Sequence, residues 1–423
     1  MKILHTSDWH LGRSFGTYGL LPDQEAFLQW LITTAEQNDV ELVAIAGDIY
    51  DRSNPPAEAI RAFNSVVVSL NAAGIEVAAI AGNHDSAERV AIYSAFTQAR
   101  GLLLRGGYPT AQATSDSGPV GRQRHDLVAI RDFSDGPLAI AAIPFLDPRL
   151  IPTDFTLLDP DDGPFTHNQV VTACAKAAAA EVPEGMRSLA MAHGFVAGGK
   201  GSDSEKSLIA TVGGTDHIGA SCFEPFSYTA LGHLHRPQTV RKTETIRYSG
   251  TPLPYSFSET GPKSVVLIDM DAKGECSVSL IEVPCGKGVR TIRASFAEVS
   301  GMSADAEHLV RVELTDHAPI REAKRRLLPL FPHLVELSLV NLNPPMSPHH
   351  RQGQGAPSLA QQVQDFLEVA TGAEAAIDDF DLITEAFGEV GLETHDASLV
   401  REAISERTHN GSTGTEESGT EAA

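Results

Sequence analysis

The chain has 423 residues, 42% apolar and 21% charged, an ordinary globular composition whose length calls for two or three folding units. Lys and Arg total 32 against 55 Asp and Glu, a net charge of −23, which is the wrong sign for gripping nucleic acid through overall charge. The cysteines Cys174, Cys222, Cys276 and Cys285 form no C-x-x-C pair, which argues against a zinc ribbon or a disulfide framework and for buried free thiols.

No apolar run approaches the roughly 18–20 residues of a membrane span. Asp8 falls too early for a signal-peptide core, so a cytoplasmic protein with no membrane attachment is expected. The charge is uneven. Residues 356–423 hold 15 acidic and 2 basic residues, more than half of the net charge, so the remainder is only mildly acidic. Carboxylates that hold cations also count as negative in that sum.

The run KILHTSD reads as a strand. Residues 22–37 read as a helix with Phe27, Leu28, Leu31, Ile32 and Ala35 on one side. ELVAIAGD is a second strand, apolar throughout as in a sheet covered on both faces. Asn54-Pro55-Pro56 opens a second helix with the stripe Ile60, Phe63, Val67 and Leu70. EVAAIAGNHD, RSLAMAHG and SYTALGHLH are further strands, and SVVLIDMDAKGECSVSLIEV holds two more around a turn. Alternating strands and helices predict an α/β sandwich. Three strand-like runs and a helix over 320–330 follow between 289 and 342. NPPMSPHHRQGQGAPS then reads as a linker. Beyond it lie helical patterns (Leu359, Val363, Phe366; then Phe380, Ile383, Phe387, Val390) and an apolar-free tail expected to be disordered.

Five motifs each end a strand: Asp8-x-His10, Gly47-Asp48-x-x-Asp51, Gly82-Asn83-His84-Asp85, Ala192-His193-Gly194 and Gly232-His233-x-His235. Loops beyond the carboxyl ends of strands converge on one crevice in such folds. A lone D-x-H or G-D carries almost nothing, but five in order, each after a strand, are a strong joint signal. Asp8, His10, Asp48, Asn83, His193, His233 and His235 make a donor set of two carboxylates, four imidazoles and an amide, with no thiolate. That suits manganese, iron or zinc and leaves room for magnesium. Seven donors fit two cations with Asp48 as a shared bridge, an arrangement that serves in-line displacement at phosphorus. His84 has a separate role, stabilising charge or protonating a leaving oxygen, with Asp85 orienting it.

At these residues the chain resembles the calcineurin-like metallophosphoesterases. ILHTSDWHLG, AGDIYDRSNPP, AGNHDS, MAHGF, ALGHLHRPQ and YSGTPLPYSFSE narrow the resemblance to the nuclease subunits of SbcCD-type complexes, a family shared with archaeal and eukaryotic double-strand-break repair nucleases. The resemblance implies a metallophosphoesterase β-sandwich flanked by helices over 1–285 and a small α+β capping domain over 286–342. A linker (343–357), a helical segment that binds the ATPase subunit (358–406) and a disordered tail (407–423) would follow. It implies one divalent ion on Asp8, His10, Asp48 and His235, and another on Asp48, Asn83, His193 and His233, with manganese the usual ion. His84 would be catalytic. Archaeal relatives carry a histidine where Asp51 stands, so Asp51 takes a supporting role. The implied partners are DNA and an SbcC-type ATPase, in a heterotetramer built on a homodimer whose interface includes the 55–71 helix.

Competing readings are a phosphatase or phosphodiesterase for small or protein substrates, and a non-catalytic DNA-end scaffold. The extra modules argue against the first, and the complete ligand set against the second. The chain has no G-x-x-x-x-G-K-[ST] loop, so any ATP use belongs to a partner.

Overall fold

The computed structural model describes residues 1–92, 101–109, 127–159, 161, 163–201 and 217–341. The expected linker, ATPase-binding helices and tail lie outside the described residues. The first half supplies β1 (Lys2–Thr6), β2 (Leu42–Ala46), β3 (Glu76–Ile80), β4 (Leu102–Arg105), β5 (Val128–Phe133) and β6 (Gly136–Ile143). Then come β7 (Ser188–His193), β8 (Tyr228–Gly232), β9 (Gln238–Val240), β10 (Thr243–Tyr248), β11 (Ser264–Met270) and β12 (Cys276–Glu282).

These strands form two six-stranded sheets, ordered β12-β11-β1-β2-β3-β4 and β9-β10-β8-β7-β6-β5. In the first, β1 to β4 run parallel and β11 is antiparallel to β1. In the second, β6, β7, β8 and β10 run parallel. The all-apolar strands are explained by cover on both faces. Ile3, Leu42, Ala44, Ala78 and Ile80 of one sheet pack on Leu138, Ile140, Leu189, Met191 and Tyr228 of the other. Outside the first sheet lie α1 (Leu21–Gln37), with Pro22 in its first turn, and α2 (Ala57–Ala72), which follows Pro56. Outside the second lies α3 (His167–Glu181), started by a Thr166/Gln169 capping box. The result is the expected α/β sandwich, two sheets flanked by helices.

The stripe of α2 faces inward. On α2, Phe63, Val67 and Leu70 are buried in the core that this helix shares with α1 and the first sheet, and Ile60 is packed against it. That stripe is an intramolecular face, whose burial against α1 and the sheet removes apolar surface from water. Val68, on the opposite side, is exposed. Sequence reasoning also passed over the β5–β6 hairpin, which carries no motif. Cys174 and Cys222 are buried free thiols as expected, while Cys276 and Cys285 are half-buried.

A three-stranded sheet of Gly288–Ala294, His308–Leu314 and Leu334–Leu339 follows. The helix expected over 320–330 is one turn, Ala323–Leu327. Contacts divide the chain into a large unit (Met1–Arg293, Ala297–Glu313, Glu322–Leu337) and a small one, whose described residues are 294–296, 314–321 and 338–341. In the large unit, Leu309 and Val335 join Phe15, Leu20, Leu253, Tyr255 and Phe257 in one cluster, and the Arg311 guanidinium lies 4.3 Å from the Phe257 ring centroid. In the small unit, the Thr315 amide donates to the Ala294 carbonyl at 3.1 Å. Among the described residues no helix is long and apolar enough to cross a membrane.

Candidate metal centre

The seven expected ligands meet at the carboxyl ends of β1, β2, β3, β7 and β8, so the site is built half from each sheet. Asp8, His10 and His235 offer ligand atoms within 4.8 Å of one another, and so do Asp8, Asp48 and His193. Asn83 Oδ1 lies 3.0 Å from both His193 Nε2 and His233 Nδ1. Close approach at the site depends on glycine at two points, one between the sheets and one between the loops after β2 and β3. A Cβ on Gly232 would strike the Ala46 carbonyl oxygen, and one on Gly82 would strike the Asp48 carboxylate.

The backbone is held in unusual conformations here. Asp8, His10 and Asp48 have φ of 54°, 45° and 49°, and His233 has 109°. Left-handed non-glycine residues cost on the order of 1–3 kcal/mol each and persist where surrounding structure fixes them. Here the loops after β1 and β2 lock together. The Asp8 amide donates to the Gly47 carbonyl and the His10 amide to the Asp48 carbonyl, both at 3.0 Å.

Several donors are oriented by a neighbour. The His193 Nδ1–H donates to the Ala46 carbonyl at 2.8 Å, which turns Nε2 toward Asn83 and toward Asp48, 3.4 Å away. Asp8 accepts from the His233 amide at 3.0 Å and from Ser7, whose hydroxyl is 2.7 Å from that of Ser249. His10 differs, because both its ring nitrogens are buried without a hydrogen-bond partner, and the nearest carboxylate oxygen, on Asp48, is 3.5 Å from Nε2. A fully buried imidazole in that condition is costly. A cation beside Asp8 and Asp48 would take up one of these nitrogens while Nδ1 faces Asp51 Oδ1 at 3.7 Å, so the residues fit the two divalent ions that this donor set calls for.

Burial resists charge throughout the cluster. Burial, reinforced by the Asp48 carboxylate and only partly offset by His193, sets Asp8 above its usual value. For His193, burial is outweighed by Asp48 and the ring is raised to about 9. His233 is lowered to about 3 by burial and by His193, and burial drives His10 well down. Against its burial, Asp48 is held low by His193 and His10. Two buried carboxylates among four imidazoles form a charge balance that divalent cations complete.

His84 lies half-buried at the rim. Its amide donates to Asp48 Oδ1 at 2.9 Å, its Nδ1–H donates to the Asp51 carbonyl at 2.9 Å, and its ring meets His10 edge-on at 4.7 Å. It also offers a ligand atom within 4.8 Å of His10 and Asp48, so geometry alone permits it a place in a metal shell. Asp85 does not orient His84 in the way expected. Its carboxylate accepts from the amides of Ile49, Tyr50 and Gly82 at 2.9–3.0 Å and so ties the β2 loop to the β3 loop. Burial, with Asp48 nearby, lifts it to about 6. Asp51 supports the rim from its backbone and through Arg13, whose guanidinium is 3.0 Å from its carboxylate and 5.0 Å from the Tyr255 ring centroid. Trp9 is packing: it is fully buried, its indole N–H bonds Thr6 at 2.9 Å, and it abuts Phe27 and Phe63.

Sequence reasoning missed the supports beneath the ligands. Gln24 of α1 donates to the carbonyls of Trp9 and His10 at 3.1 and 2.8 Å. Tyr255 also donates to Trp9 and presents its ring edge to His10 and His235. Glu259 contacts His235 Nδ1 at 3.3 Å. The last two fall in YSGTPLPYSFSE, an irregular segment with no periodicity to mark them.

A two-sheet α/β sandwich with this constellation at its carboxyl edge is the arrangement of a metal-dependent phosphoester hydrolase. Residues 1–131 match the family described as calcineurin-like phosphoesterase. Over more of its length the chain is similar to the SbcD subunit of the nuclease SbcCD from Escherichia coli K12, 29% identical over 357 residues, covering 80% of this chain and 84% of that one. It is equally similar to the SbcD subunit of the nuclease SbcCD from Bacillus subtilis 168, 29% identical over 401 residues, covering 88% and 99%. A dimetal phosphatase from Danio rerio aligns with a TM-score of 0.34 at 13% identity, over 66% of this chain and 98% of the other.

Proposed function

We propose that this protein is a two-metal DNA nuclease subunit. It would act as a double-strand exonuclease and a single-strand or hairpin endonuclease in DNA end processing, repair and recombination, at the nucleoid, with an SbcC-type ATPase. The observation that carries the hydrolytic part is His10, buried with both ring nitrogens unpartnered beside Asp8 and Asp48. The choice of DNA rests on the similarity to the two SbcD subunits over 80–88% of the chain.

In this reading Asp8, His10, Asp48 and His235 hold one ion, and Asp48, Asn83, His193 and His233 the other, with manganese the working ion. When bound, two divalent ions supply Lewis acidity at phosphorus and a more acidic water. His84, anchored through Nδ1 on the Asp51 carbonyl, keeps Nε2 for the developing charge or the leaving oxygen. Arg13 and Asp51 shape the rim. Residues 286–342 are proposed as the cap that places DNA, and 358–406 as the ATPase-binding segment. A homodimer remains part of the proposal, through the outer side of α2.

The test gives the purified protein, alone and with its ATPase partner, manganese and a hairpin DNA, with an aryl phosphodiester in parallel. Cleavage of both substrates is expected. Turnover of the aryl ester with intact DNA, even with the partner present, would leave a phosphodiesterase for small substrates and remove the nuclease reading.

A further inference from the structure

Beneath the site, the segment 249–263 encloses a buried polar group that the two-metal reading does not use. Glu259 is 3% exposed. One of its oxygens is 3.3 Å from His235 Nδ1. The other accepts from Lys263 Nζ at 2.5 Å, from Thr251 Oγ1 at 3.3 Å and from the Tyr255 amide at 3.3 Å. Lys263 Nζ also donates to Thr251 Oγ1 at 2.7 Å and to the His235 carbonyl at 3.3 Å. Lys263 therefore fixes Glu259 and also the backbone of His235. A buried carboxylate and ammonium cost several kcal/mol to desolvate, so a pair kept against a histidine at the crevice calls for a reason.

The geometry points to Glu259 as the positioning residue for His235, and to Lys263 and Thr251 as the groups that hold Glu259 in place. The inference rests on the two-metal reading of the site. An ionised carboxylate has no proton to donate, so the hydrogen on the contact with Nδ1 belongs to His235. That fixes the Nδ1–H tautomer and leaves the Nε2 lone pair to face the crevice, where Asp8 and His10 offer their own ligand atoms. His193 receives the same service from the Ala46 carbonyl, a neutral acceptor. The His235 side of the centre is thus held by a carboxylate whose charge Lys263 offsets, while the His193 side is held by a carbonyl dipole. The two cation sites should therefore respond differently to the loss of Glu259.

The experiment uses the full chain stripped of metal and titrated with manganese alone, reading bound ions by equilibrium dialysis and the ring nitrogens by ¹⁵N NMR. Wild type should bind two ions, with His235 as the Nδ1–H tautomer before manganese is added. Glu259→Ala should weaken one site by about 10–100-fold, leave the other within a few-fold, and show His235 as a tautomer mixture. If the alanine variant does not fold, Glu259→Gln with Lys263→Met keeps an acceptor for His235 and removes both charges. That pair should retain the tautomer with a smaller loss of affinity. Two ions bound as tightly as in wild type, or an unchanged tautomer, in whichever variant folds without an acceptor, overturns the role of Glu259. Loss of both sites together in the double variant overturns it as well. Wild type that binds no manganese instead removes the two-metal reading itself.

Discussion

At the scale of single residues, the site separates groups that face a cation from groups that hold them. His84 belongs to neither set by position alone, since it is anchored by Asp51 yet near enough to His10 and Asp48 to share a metal shell. The two possibilities differ in what its removal does. His84→Ala is expected to lower kcat by about 10²–10⁴-fold, the usual worth of a positioned acid or base, with two manganese ions still bound per chain. Loss of an ion from that variant would show His84 to be a ligand. The seven donors and His84 were legible in the sequence because each lies in a short polar motif that closes an apolar run, four of the eight next to a glycine. Glu259, Gln24 and Tyr255 were not, since their partners lie 24, 14 and 246 positions away and nothing in their own neighbourhood distinguishes them.

Among elements, a buried polar residue links the two sheets across their apolar interior. His5 of β1 is fully buried, with Nδ1 3.1 Å from the Tyr228 hydroxyl of β8 and Nε2 3.2 Å from the Leu231 carbonyl. Burial above all lowers its pKa from 6.5 to about 3. The unfolded chain therefore takes up a proton near pH 6.5, while the folded chain stays neutral at His5 until about pH 3. Stability from this group is complete above pH 6.5 and is lost as pH falls through that window, by about 3 kcal/mol at pH 4.5. In urea titrations at pH 7 and pH 4.5, the fall in unfolding free energy should be smaller for His5→Gln than for wild type. Equal falls would show that His5 titrates alike in both states. The strands themselves were plain in the sequence because continuous apolar runs mark burial on two faces. Their assignment to two different sheets was not, since an apolar pattern records that a face is covered and not what covers it. The stripe of α2 shows the same limit: the pattern located the face correctly, and only packing showed that its partner is the protein's own sheet.

For the whole molecule, the buried charges make stability depend on cations. Without them, the mutual proximity of Asp8 and Asp48 and the unpartnered ring of His10 oppose folding. Calorimetry of EDTA-treated protein should give a lower Tm than after manganese is restored. Saturation to about 100 times the Kd contributes about 2.7 kcal/mol per site, enough to move Tm by about 5 °C or more. Asp48→Asn, at the position shared by both ions, should lose most of that increment. An equal increment in the variant would mean that the cations bind elsewhere.

The division of the site between two sheets also has a consequence for biosynthesis. Asp8, Asp48 and Asn83 leave the ribosome early, but His193, His233 and His235 follow only after more than a hundred further residues, and Glu259 comes later still. No partial chain short of that point holds a complete centre. On the nuclease reading, a growing polypeptide of this protein is therefore harmless to the nucleic acid around it until the segment that carries its last ligands has been made.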